Sequence, residues 1–382
     1  MLNKLVVQKY GGATLANPEK IKQVAARISD LKKSGTNIVA VVSAMGQTTN
    51  QLIDLAHQVS SNPSLRELDM LLSVGERTSM ALLTMALNDL NCQAISFTGS
   101  QAGILTDESH INANIIDVKA FRVSEALEND KVVILAGFQG VSPITKEITT
   151  LGRGGSDTTA VAMASYLKAD HCEILKDVDS IFTADPKAVP SAKPIRNLNF
   201  EQLLEMTTWG AKVLHYKSVE MAKTKNVKLY VGPAAHQNSE GTWVDSTYRQ
   251  TQNIPLAVNS HSKIIEIQMN PDQFFNELVQ YQIGFPQILI KNKNSFFIGG
   301  PSETLQAIEK KYSLSPQNLC SVSLTMTLSM TVEFKNKIEQ IFDDQKIHVI
   351  EYLQSPLSLN LIIHYDDKNK AINTLHNLIA LS

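Results

Sequence analysis

At 382 residues the chain exceeds the roughly 250 to 300 residues at which a single hydrophobic core divides, so a large domain with something smaller attached is expected. Its 35 lysines and arginines stand against 37 aspartates and glutamates, a formal net charge of −2. That balance leaves no electrostatic footprint for nucleic acid or an anionic membrane and directs attention to small molecules and other subunits.

The β-run Leu5–Tyr10 leads to Gly11 and Gly12, then to Asn17-Pro18-Glu19, a helix start with asparagine as N-cap and proline in the first turn. Apolar residues at Ile21, Val24, Ala25, Ile28 and Leu31 share one helical face, and Gly35 supplies the stop. The stretch "NIVAVVS" is continuous after Asn37 rather than alternating, as in a strand buried on both faces of a parallel sheet. The alternation continues with helices over 51–59 and 70–90, a strand "QAISFTG", a helix over 120–127, a strand "KVVILAGF", a glycine cluster opening onto an alanine-rich helix, and a strand "HCEILKDV". This order predicts an α/β sandwich with a mainly parallel sheet, whose ligands gather at the carboxyl ends of the strands.

The passage "GTWVDSTYRQTQNIPLAVNSHSK" lacks periodicity and reads as a connection between domains. Beyond it come "KIIEIQM", a helix "PDQFFNELVQY", strands "QILIKN" and "SFFIGG", then "CSVSLTM", a helix "TVEFKNKIEQIFDDQ", strands "HVIEYL" and "LSLNLIIHY", and a helix "KNKAINTLHNLI". Two small α+β modules in tandem fit that order. Cys92, Cys172 and Cys320 form no CxxC pair, so they read as buried thiols rather than zinc ligands or disulfides. The first residues lack a signal-peptide pattern and no apolar run reaches the roughly 18 residues of a membrane span, so a cytoplasmic location is expected.

The segment "TTLGRGGSDTTAVAMASYLKAD" does not follow GxxxxGK[ST], and it lacks the third glycine of GxGxxG. A P-loop nucleotidase and a dinucleotide-binding dehydrogenase are therefore disfavoured. Taken alone the loop is either a tight strand-to-helix turn or an anion site, in which Arg153 offers a planar donor fork beside backbone N–H groups at a helix start.

The motifs "VVQKYGG", "VVSAMGQTTNQL", "MLLSVGERTSMAL", "SFTGSQAGILT", "AGFQG", "TTLGRGGSDTTAVAMA", "DVDSIFTADP" and "GAKVLH", in this order and spacing, resemble the aspartate kinase members of the amino acid kinase superfamily. The likeness runs from residue 4 to about 232, and the C-terminal sets resemble the ACT modules that follow the kinase domain in that family. It implies an amino acid kinase-type three-layer α/β sandwich as a catalytic domain over 1–250. It also implies a regulatory region over 251–382 with two ferredoxin-like ACT modules, at about 260–315 and 318–382. The implied reaction is ATP-dependent phosphorylation of the side-chain carboxylate of L-aspartate, the first step toward lysine, threonine and methionine. Mg²⁺ would bridge the phosphates, and a homo-oligomer would pair through the ACT-like modules.

A carboxylate is ionised near neutral pH, so this reaction needs no general base. It needs two anions held in line and charge neutralised on the transferred phosphoryl group. By motif position the resemblance assigns Lys9 to transition-state stabilisation and Gly11 and Gly12 to close approach of the backbone to phosphate. Arg153 is assigned to the substrate α-carboxylate and Glu76 to its ammonium group. Ser43, Thr49, Phe138, Gly154 and Ser156 complete the substrate pocket. Asp157 either orders the catalytic helix mouth or is an ordinary N-cap.

Asp177, Asp179, Phe182, Asp185, Lys187 and Lys212 fall to the nucleotide. Lys176, Ser180 and Lys187 stand where the family has Thr or Ser, Gly, and Arg, and the lysine at 187 keeps charge but loses the planar fork, which lowers the expected ATP affinity. Ala13 replaces a family hydroxyl, leaving Thr14 to supply one. No protein metal cage is expected, and His215 stands isolated.

A kinase for another acidic amino acid and a non-catalytic amino-acid-binding regulator are the competing readings, and retention of Lys9, Glu76, Arg153 and Asp157 favours the enzyme. The ACT-like helix starts, "MNPDQFFNEL" and "LTMTLSMTVEF", lack the family's Pro-Gly turn. Feedback inhibition by lysine or threonine is accordingly expected to be weak or absent, with subunit pairing the favoured role of the tail.

Overall fold

The computed structural model describes residues 4–211, 213–234, 241–280, 287–292, 294–300, 302–315 and 317–380. In chain order it runs β1 (Leu5–Tyr10), α1 (Pro18–Lys33), β2 (Asn37–Val42), α2 (Thr48–Val59), α3 (Leu65–Asp89), β3 (Ala94–Phe97), β4 (Ile104–Thr106), β5 (Ile115–Val118) and α4 (Phe121–Glu128). There follow β6 (Val132–Ala136), β7 (Gln139–Val141), β8 (Ile148–Thr150), α5 (Gly155–Leu167), β9 (His171–Lys176), β10 (Ile181–Phe182), β11 (Pro194–Ile195), β12 (Asn197–Leu198), α6 (Phe200–Thr208), α7 (Tyr216–Lys225), β13 (Leu229–Pro233) and β14 (Thr242–Val244). The start of α1 is as expected: the Asn17 side chain accepts a hydrogen bond from the Lys20 amide at 3.0 Å, and Pro18 opens the helix.

Two compact units divide the chain. The first comprises the residues up to Ile181 together with Ile195–Phe200 and Leu214–Tyr248. Its described residues include an eight-stranded sheet in the order β12-β14-β13-β9-β1-β2-β6-β3. The six strands from β13 to β3 are parallel, and β14 runs antiparallel to β13. β6 is buried along its whole length and β2 after its first residue, as both-face coverage requires.

One face packs Tyr10, Ile38, Ala40, Val42 and Ile134 against Ile21, Val24 and Ile28 of α1 and Leu83 and Leu87 of α3. The other face meets α5, which packs on β1, β2 and β9 and beside α7. Every residue of α5 from Gly155 to Ala164 is buried, which explains its run of small side chains. The α/β sandwich with a mainly parallel sheet is therefore present.

The second unit comprises 182–194, 201–213 and Arg249–Ser382. Its later elements are β15 (Pro255–Ile267), α8 (Pro271–Gln280), β16 (Gln287–Asn292), β17 (Ser295–Gly299), α9 (Ser302–Tyr312), β18 (Leu319–Met326), α10 (Val332–Asp344), β19 (Val349–Gln354), β20 (Ser358–His364) and α11 (Lys368–Ala380). The β-α-β-β-α sets expected from the sequence join in one antiparallel sheet of six described strands, ordered β16-β17-β15-β18-β20-β19. Each set takes the first strand of the other as its fourth, so neither closes its sheet alone.

The aperiodic passage over 241–263 is not merely a connection, since it contains β14 and the first half of β15. Two features hide β15. Asn259 and His261 pair with Ser323 and Ser321 on the face turned away from α10 and α11, so the strand is polar on one side. A break in register between His261 and Ile264 then shifts its alternation by one residue. Val258 before the break and Ile265 after it consequently both meet helices, Val258 in the core with α10 and α11 and Ile265 in that with α8 and α9. Trp209 covers the opposite face with Ile264, Phe297 and Ile362.

Among the described residues no helix is long and apolar enough to cross a membrane. All three cysteines are buried and unbridged.

Leu83 has no exposed surface and anchors α3 in the core beneath α1. Leu83→Ala is expected to cost about 2 to 5 kcal/mol, read as a lower urea midpoint at unchanged slope; a loss below about 0.5 kcal/mol would contradict this account of the core.

Candidate active site

Four neighbouring parallel strands, β9, β1, β2 and β6, end on one edge of the sheet. Asp177, Gly11 with Gly12, Ser43 with Ala44, and Gly137 with Phe138 follow them directly. Alternation along β1 sends Tyr10 into the α1–α3 core and Lys9 toward α5. There the Lys9 ammonium lies 2.7 Å from the Asp157 carboxylate, with both side chains buried.

Burial alone would raise the Asp157 carboxyl, but Lys9 and Lys176, with a smaller contribution from His215, hold it below the usual carboxylate range. Burial pulls the Lys176 ammonium down, Lys9 adds to that, and Asp157 opposes both. The site thus contains a buried anion held by two cations.

Glu76 projects from α3 toward the loop after β2, and one carboxylate oxygen accepts the Ala44 N–H at 3.1 Å. Gly75 permits this approach, because a Cβ there would come within 2.7 Å of the Ala44 methyl. The second oxygen, Oε2, is buried with no hydrogen-bond partner among the described residues. Burial pushes the Glu76 carboxyl up to about 7, against the pull of backbone N–H groups and Lys9. A buried carboxylate with one unused oxygen fits a cationic ligand group.

The glycine loop closes the site. Gly154 has φ +71°, and a Cβ there would fall 2.1 Å from that of His215, so no other residue fits. Gly154 is also the cap of α5, and no side chain caps this helix. Asp157 is therefore not the N-cap: it lies in the first turn and turns its carboxylate to Lys9. Phe138 holds φ +69°, a conformation costly for an aromatic residue, with its N–H donated to the Thr159 hydroxyl at 3.2 Å. Its ring edge and Leu151 fill the space beside Gly155. Ser156 is buried behind it, Ser43 and Thr49 are half-buried, and Arg153 stands exposed at the loop tip.

Thr14 does not replace the hydroxyl missing at Ala13, because its proton is donated to the Gly11 carbonyl at 2.6 Å. Asp177 and Asp179 are exposed after β9, whereas Phe182, Asp185 and Lys187 belong to the second unit, where Asp185 accepts the Lys187 N–H at 2.9 Å. Lys212 lies outside the described residues. The sequence signalled Lys176 only as a departure from the family pattern, and its placement at the end of a buried strand was the available clue. Ala44 and the approach of His215 to Gly154 left no local signal at all.

The profile of the amino acid kinase family matches residues 4–233. An aspartokinase of Mycolicibacterium smegmatis is 53% identical over 252 residues, 66% of this chain and 59% of that protein. One of Corynebacterium glutamicum is 53% identical over 240 residues, 63% of this chain and 57% of that protein. The chain therefore spans about three fifths of the length of the curated relatives it matches. Among solved structures, E. coli aspartokinase III in complex with aspartate and ADP matches with a TM-score of 0.79 at 22% identity, covering 99% of this chain and 100% of that one; this is a likeness of fold. The aspartate kinase of Synechocystis matches at 0.58 with 32% identity, covering 98% of this chain and 69% of that one.

The Lys9–Asp157 pair sets a test of the site as built. Lys9→Met leaves a buried carboxylate short of its nearest cation and is expected to lose roughly 3 to 5 kcal/mol of stability at neutral pH. Adding Asp157→Asn should recover part of that loss, and equal stability of the single and double variants in urea denaturation would refute the coupling.

Proposed function

Because the chain belongs to the amino acid kinase family, we propose that it transfers the γ-phosphoryl group of ATP to the side-chain carboxylate of L-aspartate, giving 4-phospho-L-aspartate and ADP in the first step toward lysine, threonine and methionine. The observation that carries this reading is Glu76, a buried carboxylate with one oxygen unpartnered, on the sheet edge that also carries Lys9 and the arginine-bearing glycine loop. An amino acid supplies the missing ammonium group. Its α-carboxylate falls to Arg153, whose guanidinium makes paired hydrogen bonds with a planar anion. Relatives that are 53% identical to this chain are named aspartokinases, which supports aspartate as the acceptor.

The substrate arrives with its side-chain carboxylate ionised. One oxygen attacks the γ-phosphorus, and the bond from that phosphorus to the β,γ-bridging oxygen breaks with its electron pair leaving on ADP, so no proton is transferred. Lys9 neutralises charge on the transferred group, oriented by Asp157, while Lys176 adds a second ammonium at the end of β9. Both act in a partly dry site, where fixed charges need little reorganisation as the reaction proceeds. Mg²⁺ would arrive with ATP as part of that substrate and would offset negative charge on its phosphates. Gly11 and Gly12 let the backbone follow the phosphate chain.

The tail is read as a pairing surface for a second copy rather than an effector sensor. The Asn270 side chain already accepts the Asp272 and Gln273 N–H groups at 2.8 and 3.3 Å at the start of α8. Thr331 accepts the Phe334 N–H at 3.2 Å at the start of α10. An effector carboxylate would have to displace these caps.

Incubation with ATP, Mg²⁺ and hydroxylamine should yield the hydroxamate from L-aspartate and none from L-glutamate; the reverse preference, or no acyl phosphate, overturns the assignment. Substrate requires ionised Glu76, so the KM for aspartate should fall as pH rises through about 7, where that group titrates, and level above it. Glu76→Gln should raise that KM about tenfold or more and abolish its pH dependence. Lysine or threonine at about 5 mM should change the rate by less than twofold, a consequence of the self-capped helix starts; strong inhibition by either would show those caps to be displaceable.

A further inference from the structure

Asp69 lies on α3 seven residues before Glu76, on the same helical face, and has no exposed surface. Its Oδ1 accepts the Thr150 hydroxyl at 2.5 Å and the Ile111 N–H at 3.1 Å. Its Oδ2 meets His110 Nδ1 at 2.6 Å and the same Ile111 N–H at 3.2 Å. One carboxylate thus ties α3 to the loop over 107–114 and to the end of β8.

Both tethers lead to the glycine loop. Thr150 stands three residues before Arg153, and its carbonyl accepts the Ala113 N–H at 2.9 Å. Ile111 holds φ +67°, a left-handed conformation that a β-branched residue adopts only when its surroundings impose it. In that conformation the Ile111 N–H is donated to the Asp69 carboxylate. The Ile111 carbonyl and the Asn112 side-chain oxygen occupy the space beside Gly152, where a Cβ would come within 3.0 Å of each. Asn112 is in turn held by the Lys217 ammonium at 2.8 Å. Gly152 is the residue before Arg153.

We propose that Asp69 is a positioning residue for the substrate clamp: by joining the helix that carries Glu76 to the loop that carries Arg153, it fixes the separation of these two groups and so the length of the acidic amino acid accepted. The inference rests on the reading of Glu76 and Arg153 as ammonium and carboxylate partners. Displacement by a fraction of an ångström at one end of such a clamp weakens the hold on a short rigid substrate while leaving the nucleotide side unaffected.

The test uses the full chain with steady-state kinetics for both substrates. Asp69→Asn keeps the shape and removes the charge that draws three donors together. It is expected to raise the KM for L-aspartate about tenfold, to move the KM for MgATP less than twofold, and to narrow the preference for aspartate over glutamate. Thr150→Val removes one donor with little change of volume, carries the same expectation should the first variant fail to fold, and should be rescued by Thr150→Ser. Parallel increases in both KM values, or an unchanged aspartate KM and acceptor preference in both variants, overturn the inference while the kinase reading stands. Failure of the unaltered chain to phosphorylate any acidic amino acid removes that reading and the inference with it.

Discussion

The first unit is arranged around a charge that water barely reaches. Asp157 is 4% exposed and Lys9 7%, and an isolated carboxylate at that depth would take up a proton rather than stay ionised. Keeping it charged demands a cation within contact distance, which fixes the register of β1 against α5. That helix must then come close to the sheet, and the small residues of "GSDTTAVAMA" are what make the approach possible. A pair of this kind adds little net stability, since desolvation offsets most of the attraction. Its consequence is geometric, because it presents a lysine of fixed orientation at the carboxyl edge of the sheet.

The same edge shows how glycine and strain are distributed around a site. Gly154 is imposed by the proximity of His215, Gly75 by that of Ala44, and Gly12 by the Ala44 carbonyl, which would lie 2.7 Å from a Cβ. Two residues without that freedom, Phe138 and Ile111, are nevertheless held at positive φ. Each has its N–H taken by a buried side chain, Thr159 in one case and Asp69 in the other. Unfavourable backbone conformations persist where surrounding bonds over-determine them, and here both flank the loop that carries Arg153. In the second unit a different device operates. The register break in β15 turns one strand into the shared spine of two βαββα halves, so that helices from both lie against apolar residues that would otherwise face opposite sides.

Much of this was legible in the residue order. The continuous apolar runs of β2 and β6, the Asn-Pro start of α1 and the strand-glycine-helix pattern at residues 149–167 depend on local spacing, and the structure follows them closely. Lys9, Arg153 and Asp157 were likewise visible as charged residues at a strand end and a helix mouth, whereas Glu76, within α3, stood out only by its place in the family motif. The capping alternative for Asp157 stayed open because a carboxylate in a helical first turn satisfies either role. Thr14 looked available because nothing in its sequence reveals that its proton is spent on Gly11. The first half of the strand over 255–267 was lost because its polar face and its bulge erase the period on which strand recognition depends, whereas its second half was visible as "KIIEIQM".

The sequence by itself determined the class of fold and the order of elements in the first unit, since periodicity, caps and turn chemistry act over a few neighbouring positions. Only the tertiary structure decided how charges far apart in the chain are shared. Lys176 joined Lys9 around Asp157, Glu76 was left with one unused oxygen, and Asp69 became the junction of three segments. These outcomes depend on burial and on distances between residues tens of positions apart, and electrostatic energy in a low-dielectric interior is set by those quantities, which no local pattern encodes.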